Sequence, residues 1–424
     1  MRLKIHCTIP ITALVLAACL FFGASALAEP VKPIRLGCAG SFKATPWAMG
    51  GLSGIQLAVE EINAAGGVNV GGAKRPFELI TVDTRDEEPG VPVSECLLGI
   101  EKLILDQKVD VLCGGPTMSE ASMATIDLAA KHNIVNYVCM GTWTPSWPKK
   151  VGEGIKKYGT SFKATTNVAQ VLTQGVEMLE SLRKDYGYSS AYTIIQDCLF
   201  ARAGMGAFTK IAAAKGWKIV GSDAVPMGTS DYSPELIRAK KSGADVLLYW
   251  WADITGSILY KQFIDLQIPA LPVGFSPATQ EHEVYKEMGG KVEYFVFAVG
   301  QAGAISSKLP GGVKFQQAFE KKFTRKPFGA SAAGYMGPYV VKDAIERANS
   351  LKTEDLVATL EKTDYMGISG KIQFDKNHEI TYSDDPSKGV VQAWGQWIEG
   401  NRVCVWPTTV TDLKIALPPW MGKK

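Results

Sequence analysis

From Lys32 onward, short apolar runs alternate with longer stretches in which apolar residues recur at helical spacing, the pattern of βα units that build a parallel sheet. The first series predicts strands over 34–38, 77–83, 109–113 and 135–140, separated by helices over 50–65, 91–106 and 120–132. In the first helix Ile55, Leu57, Ala58, Val59 and Ile62 supply one apolar face, and Gly66-Gly67 ends it. A loop around residues 143–159, with two Trp, two Pro and several Gly and Lys, breaks the periodicity.

A second series then begins, with strands predicted over 191–196, 218–225, 246–251, 271–274 and 294–299. Helices are predicted over 168–184, 206–215, 234–241 and 256–266. Two helices over 312–323 and 330–349, a shorter one over 353–362 and strand-like segments over 370–374 and 390–397 complete the chain. That tail is too short for a third core, so its elements must pack on lobes already formed. The expectation is an α/β protein of two doubly wound parallel-sheet lobes joined by crossover hinge segments. Residues 29–164 plus 297–371 are assigned to the first lobe and 165–296 plus 372–424 to the second.

The amino terminus changes the picture of where the protein works. Arg2 and Lys4 precede an apolar run from Ile9 to Gly23, and Ala26-Leu27-Ala28 stands ahead of Glu29-Pro30, the order of a cleavable secretory signal peptide. Leu16-Ala17-Ala18-Cys19 resembles a lipoprotein cleavage site, but residues 20–28 stay mostly apolar, so cleavage after Ala28 and a periplasmic location are expected. No later run reaches the roughly 18 apolar residues of a membrane span. Cleavage leaves 396 of 424 residues, which favours two domains over one core, and lowers the formal charge from +3 to about +1. Such a balance argues against a nucleic-acid partner, which demands a basic face. Cys38, Cys96, Cys113, Cys139, Cys198 and Cys404 remain, without metal-ligand spacing, as buried thiols or disulfide partners.

Catalytic signatures are missing. There is no Gly-x-Ser-x-Gly elbow, P-loop or Gly-x-Gly-x-x-Gly fingerprint, and His282-Glu283 lacks a second histidine because Lys286 holds that place. No enzyme activity, metal or cofactor is expected.

The segment 50–68, GGLSGIQLAVEEINAAGGV, resembles the first helix and turn of periplasmic binding proteins for leucine, isoleucine and valine. Val82-Asp83-Thr84, the run VDVLCGGP at 109–116, Gly334-Tyr335 and GISGKIQFD at 367–375 resemble the same family in the same order. The resemblance implies a type I periplasmic binding protein, a Venus-flytrap that holds one ligand between its lobes and presents it to the permease subunits of an ABC importer. A monomer is expected. Two other outputs stay open: a sensor of the same fold, and an exported hydrolase.

The resemblance also implies site residues. Ser119, opening a helix, corresponds to a serine that grips the ligand's carboxylate, although serine often merely caps. Met140 offers a backbone carbonyl and Thr142 a hydroxyl at the end of the fourth strand. Trp47 and Trp143 are read as ligand walls, as is Phe200 in the place of a family tyrosine. Of the neighbours Trp250 and Trp251 one faces in and one out, because side chains alternate along a strand, and Trp251 is taken as the ligand-facing one. Tyr335 is read as packing. Ser276 stands where amino-acid-binding members carry a glutamate for the ligand's ammonium group, so an aromatic or apolar acid is favoured over a branched-chain amino acid. Asp253 could restore the missing carboxylate.

Overall fold

The computed structural model describes residues 32–43, 46–88, 90–252 and 255–422. The leader segment and Asp253 therefore lie outside the described residues. Among those described, no helix is long and apolar enough to cross a membrane.

The first lobe is built on five parallel strands, Ile34–Gly40, Phe77–Asp83, Val111–Gly114, Asn136–Val138 and Ser161–Lys163. Counted along the chain, their spatial order is second, first, third, fourth, fifth. The first strand is buried on both faces over most of its length, with Ile34, Leu36 and Cys38 enclosed on one side and Gly37 and Ala39 on the other, as a central parallel strand must be. The second lobe repeats this order with Ser190–Gln196, Lys218–Val225, Val246–Trp250, Leu271–Phe275 and Val296–Gln301. Two antiparallel strands, Gln392–Ile398 and Asn401–Trp406, extend its outer edge. In such sheets ligands bind beyond the carboxyl ends of the strands, where the strand order reverses. Each lobe thus has one switch point, between its first and third strands.

The expected boundary at residue 297 falls inside Val296–Gln301, which pairs within the seven-stranded sheet. Its alternating apolar positions look the same in either lobe, so only pairing reveals where it belongs. The following helix, Pro310–Phe323, also packs on the second lobe through Phe315 and Phe319. The chain returns to the first lobe with the helix Gly329–Ala348, which lies along the helix Pro46–Ala64. Glycine makes that approach close: a Cβ on Gly54 would stand 2.1 Å from the Ser331 carbonyl oxygen, and one on Gly334 2.3 Å from that of Gly51. Residues 372–390 also stay with the first lobe, where Ile372, Ile380 and Val390 join its core, so the final crossing comes close to Gln392 rather than at 372.

All six cysteines of the described chain are free thiols, five of them buried. The strand-like contexts of Cys38, Cys113 and Cys139 put them in the core as small apolar side chains.

Candidate ligand-binding site

The loops beyond the strand ends of the first lobe are tied to one another at its switch point. The Ser41 N–H, just past the first strand, donates to Thr117 Oγ1 at 3.2 Å, and the Thr142 N–H donates to the Thr117 carbonyl at 3.2 Å. A Cβ on Gly141 would lie 2.5 Å from that carbonyl oxygen, so only glycine lets the two loops close on each other. The next residue, Thr142, has φ +53°, a left-handed conformation that is strained for a β-branched side chain. Thr142 is only 2 % exposed, and its Oγ1 is buried without a hydrogen-bond partner. Leaving a hydroxyl buried and unpaired costs about 1–3 kcal/mol.

Beside Thr142 a group of aromatic rings joins the lobes. Trp47, the second residue of its helix, meets Trp143 edge-on with centroids 5.6 Å apart. Across the interlobe boundary Phe275, the last residue of its strand, lies 4.8 Å from Trp143 and 6.4 Å from Trp47. Phe200 and Trp250 continue the cluster at 5.8 Å and 5.5 Å from Phe275. Phe200 follows the first strand of its lobe and Trp250 ends the third, so both come from the second lobe's switch point.

The expected residues divide accordingly. Trp47, Trp143 and Phe200 converge, with Thr142 adjoining them in the chain. Met140 is buried with its side chain packed against Gly51 of the first helix, where an added Cβ would meet its sulfur at 2.5 Å. Ser119 is the first helical residue rather than the cap, which is Met118. The Met118 N–H donates to the Asp86 carboxylate at 2.6 Å, so the chain's own anion serves this helix end.

Two assignments in the second lobe need correction. Trp251 is fully buried on the opposite side of the strand from the ring cluster, against Tyr232 at 5.6 Å, and Trp250 is the ring that faces Phe200 and Phe275. Ser276 is fully buried and caps the short helix Pro277–Gln280, its side chain accepting from the Ala278 N–H at 3.3 Å. Sequence reasoning missed Phe275, Thr117 and Asp86, and chose Trp251 from the pair in which Trp250 faces the rings. Phe275 ends an apolar run and reads as core, and only the strand-end rule already applied to Thr142 could have singled it out.

The crossover between lobes touches this site directly. Thr165 Oγ1 donates to the Gly141 carbonyl at 3.1 Å and the Val168 N–H to the Trp143 carbonyl at 3.0 Å. The Gln301 side-chain amide donates to the Ala164 carbonyl at 3.1 Å, and the Tyr382 hydroxyl to that of Thr165 at 2.5 Å.

Residues 36–383 match the model of the periplasmic binding protein family. The chain belongs to that family. Among its relatives, Leu/Ile/Val-binding protein homolog 7 of Brucella abortus is 23 % identical over 391 residues, covering 86 % of this chain and 88 % of the relative. A solved structure from Silicibacter pomeroyi, ascribed to a branched-chain amino acid ABC transporter, superposes with a TM-score of 0.79 at 17 % identity, covering 92 % of this chain and all of the other. The ABC-transporter solute binding protein of Rhodopseudomonas palustris, solved with benzoate, gives a TM-score of 0.68 at 15 % identity over 88 % of this chain and 95 % of its own. This periplasmic binding protein therefore shares the two-lobed α/β fold of these solved structures, and membership implies work outside the cytoplasm.

Proposed function

We propose that this chain captures a small aromatic or apolar carboxylate between its lobes and hands it to the permease subunits of an ABC importer, without altering it chemically. One observation carries the reading: aromatic rings from both lobes converge on Trp143, the chain neighbour of Thr142, whose hydroxyl is buried and unpartnered. Rings that meet edge-on across the boundary enclose a flat apolar body well once the lobes part to admit it. The Thr142 hydroxyl then donates to the carboxylate, an interaction worth about 1.5–3 kcal/mol when the acceptor is charged. Trp47, Trp143, Phe200, Phe275 and Trp250 form the wall, and the Gly141–Trp143 loop couples it to the crossover.

Trp47, Thr142, Trp143, Phe200, Trp250 and Phe275 include no carboxylate to offset a buried ammonium group, which favours an acid without one. The benzoate complex of the R. palustris neighbour is consistent with that preference. The relatives named for leucine, isoleucine and valine make those amino acids the natural competitors. Calorimetry of the mature protein with benzoate, 4-hydroxybenzoate and leucine tests the reading. Benzoate-type acids are expected to bind at least tenfold more tightly than leucine, with quenching of tryptophan fluorescence. Submicromolar leucine binding without measurable benzoate binding would overturn it.

A further inference from the structure

The lobes also meet away from the ring cluster, along the helix Pro46–Ala64. Ile55, Val59 and Ile62 turn into the first lobe's core, but Leu57 does not. It is 5 % exposed and joins the second lobe's core, together with Phe315 and Phe319 of the helix Pro310–Phe323. Glu60 forms an ion pair with Lys322 of that same helix. Arg325, just beyond the helix, donates to Ser53 Oγ at 2.8 Å. Ser53, Leu57 and Glu60 are spaced four and three residues apart, so they form one stripe along the first helix.

Tyr335, on the helix Gly329–Ala348, completes this seam. Its ring packs on the cores of both lobes and lies 4.7 Å from that of Phe315. Glu61 accepts from the Tyr335 hydroxyl at 2.5 Å and from that of Tyr339 at 2.8 Å, which fixes the Tyr335 ring against the second lobe. At its amino-terminal end the first helix carries Trp47, a member of the ring cluster. One helix therefore bears both contacts between the lobes, and a rotation that parts the rings carries the stripe with it.

We propose that this seam is a latch, in which Leu57 and Glu60 of the first lobe engage Phe315 and Lys322 of the second and hold the lobes together. Trp143 and Phe275 already touch in this arrangement, so loosening the seam can only part the lobes. Leu57 and Tyr335 supply most of the hold by excluding water. The Glu60–Lys322 pair, exposed to solvent, adds less and sets which turns of the two helices face each other. Entry of a ligand must release the latch, and closure around the ligand engages it again. Residues that never touch the ligand thus set how often the cleft opens.

Small-angle X-ray scattering from the full mature chain, without added ligand, reads the separation of the lobes. Leu57→Asp is expected to increase the radius of gyration and the maximum dimension relative to the parent. Glu60→Lys and Lys322→Glu should each do so to a smaller extent, and the double variant should return towards the parent values. A contact that serves stability alone would lower the melting temperature and leave the dimensions unchanged. Circular dichroism identifies a Leu57→Asp protein that has not folded, and the exposed charge variants then decide. Parent-like dimensions in every folded variant, or a double variant no closer to the parent than the single ones, would overturn the proposal.

Discussion

The Lys163 ammonium lies 2.7 Å from the Glu379 carboxylate, inside the protein, where the chain first leaves the first lobe. Lys163 is fully buried and also donates to the Thr166 carbonyl at 3.0 Å, while the Asn167 side-chain amide donates to both Glu379 oxygens. The outgoing crossover is thereby fastened to the segment that later carries the chain back.

Breaking one partner of this pair leaves the other charge buried alone, which typically costs about 3–5 kcal/mol. Lys163→Met and Glu379→Gln are each expected to lower stability by roughly that amount, read from urea unfolding midpoints. The double variant should recover part of the loss, since both charges are then removed. Additive losses would show that the two residues act separately.

Thr142→Val should have opposite effects on folding and binding. Replacing a buried, unpaired hydroxyl by a methyl group is expected to raise the stability of the free protein by about 1 kcal/mol. If the hydroxyl serves a carboxylate, the same change should weaken benzoate binding by roughly tenfold. Thermal melts with and without benzoate read both, because bound ligand adds to stability by mass action.

The two adjacent tryptophans should separate wall from core. Trp250→Phe is expected to alter the affinity and the fluorescence response for aromatic acids as well as to lower stability, because its indole is fully buried. Trp251→Phe, among Tyr232 and its neighbours, should lower the melting temperature and leave affinity intact. Phe275→Ala removes the central cross-lobe ring and is expected to weaken aromatic acids most.

Glu281 should produce a pH-dependent loss of stability. Burial, then the charges of Glu283 and Glu287, raise its carboxyl to about 7 against the opposing influence of Arg325 and Arg402. Between about pH 4.5 and 7 the folded chain retains a proton that the unfolded chain has released, so stability falls as pH rises through this window and levels off above it. After allowance for partial exposure the change is of order 1–2 kcal/mol. Urea midpoints at pH 5 and pH 7.5 should differ for the parent protein by more than for Glu281→Gln.

Much of the fold was legible because parallel strands buried on both faces form short, largely apolar runs, unbroken in Val246–Trp250 and interrupted only by Arg35 in Ile34–Gly40. Lobe membership was harder. Val296–Gln301 shows where it belongs only through its partners Val273 and Gln396, and these are remote in sequence from each other. The site was half visible. Thr142, Trp47, Trp143 and Phe200 follow from strand-end position and resemblance, but choosing between Trp250 and Trp251 requires knowing which sheet face the helix after Cys198 covers. Ser276 looked like a ligand position because its commitment to Ala278 is a matter of backbone geometry that residue type alone does not reveal.

The bonds from Thr165 to Gly141 and from Val168 to Trp143 tie the loop of the ring cluster to the crossover, so if the lobes turn about that crossover the cluster lies close to the pivot. Points near a pivot travel little for a given angle, so the walls have a short lever arm. A swing wide enough to expose the outer rim of the cleft would separate Trp143 and Phe275 by a much smaller distance. The protein would then sort its ligands by thickness: a planar ring slips between walls that part slightly, whereas a bulky branched molecule requires a far larger rotation.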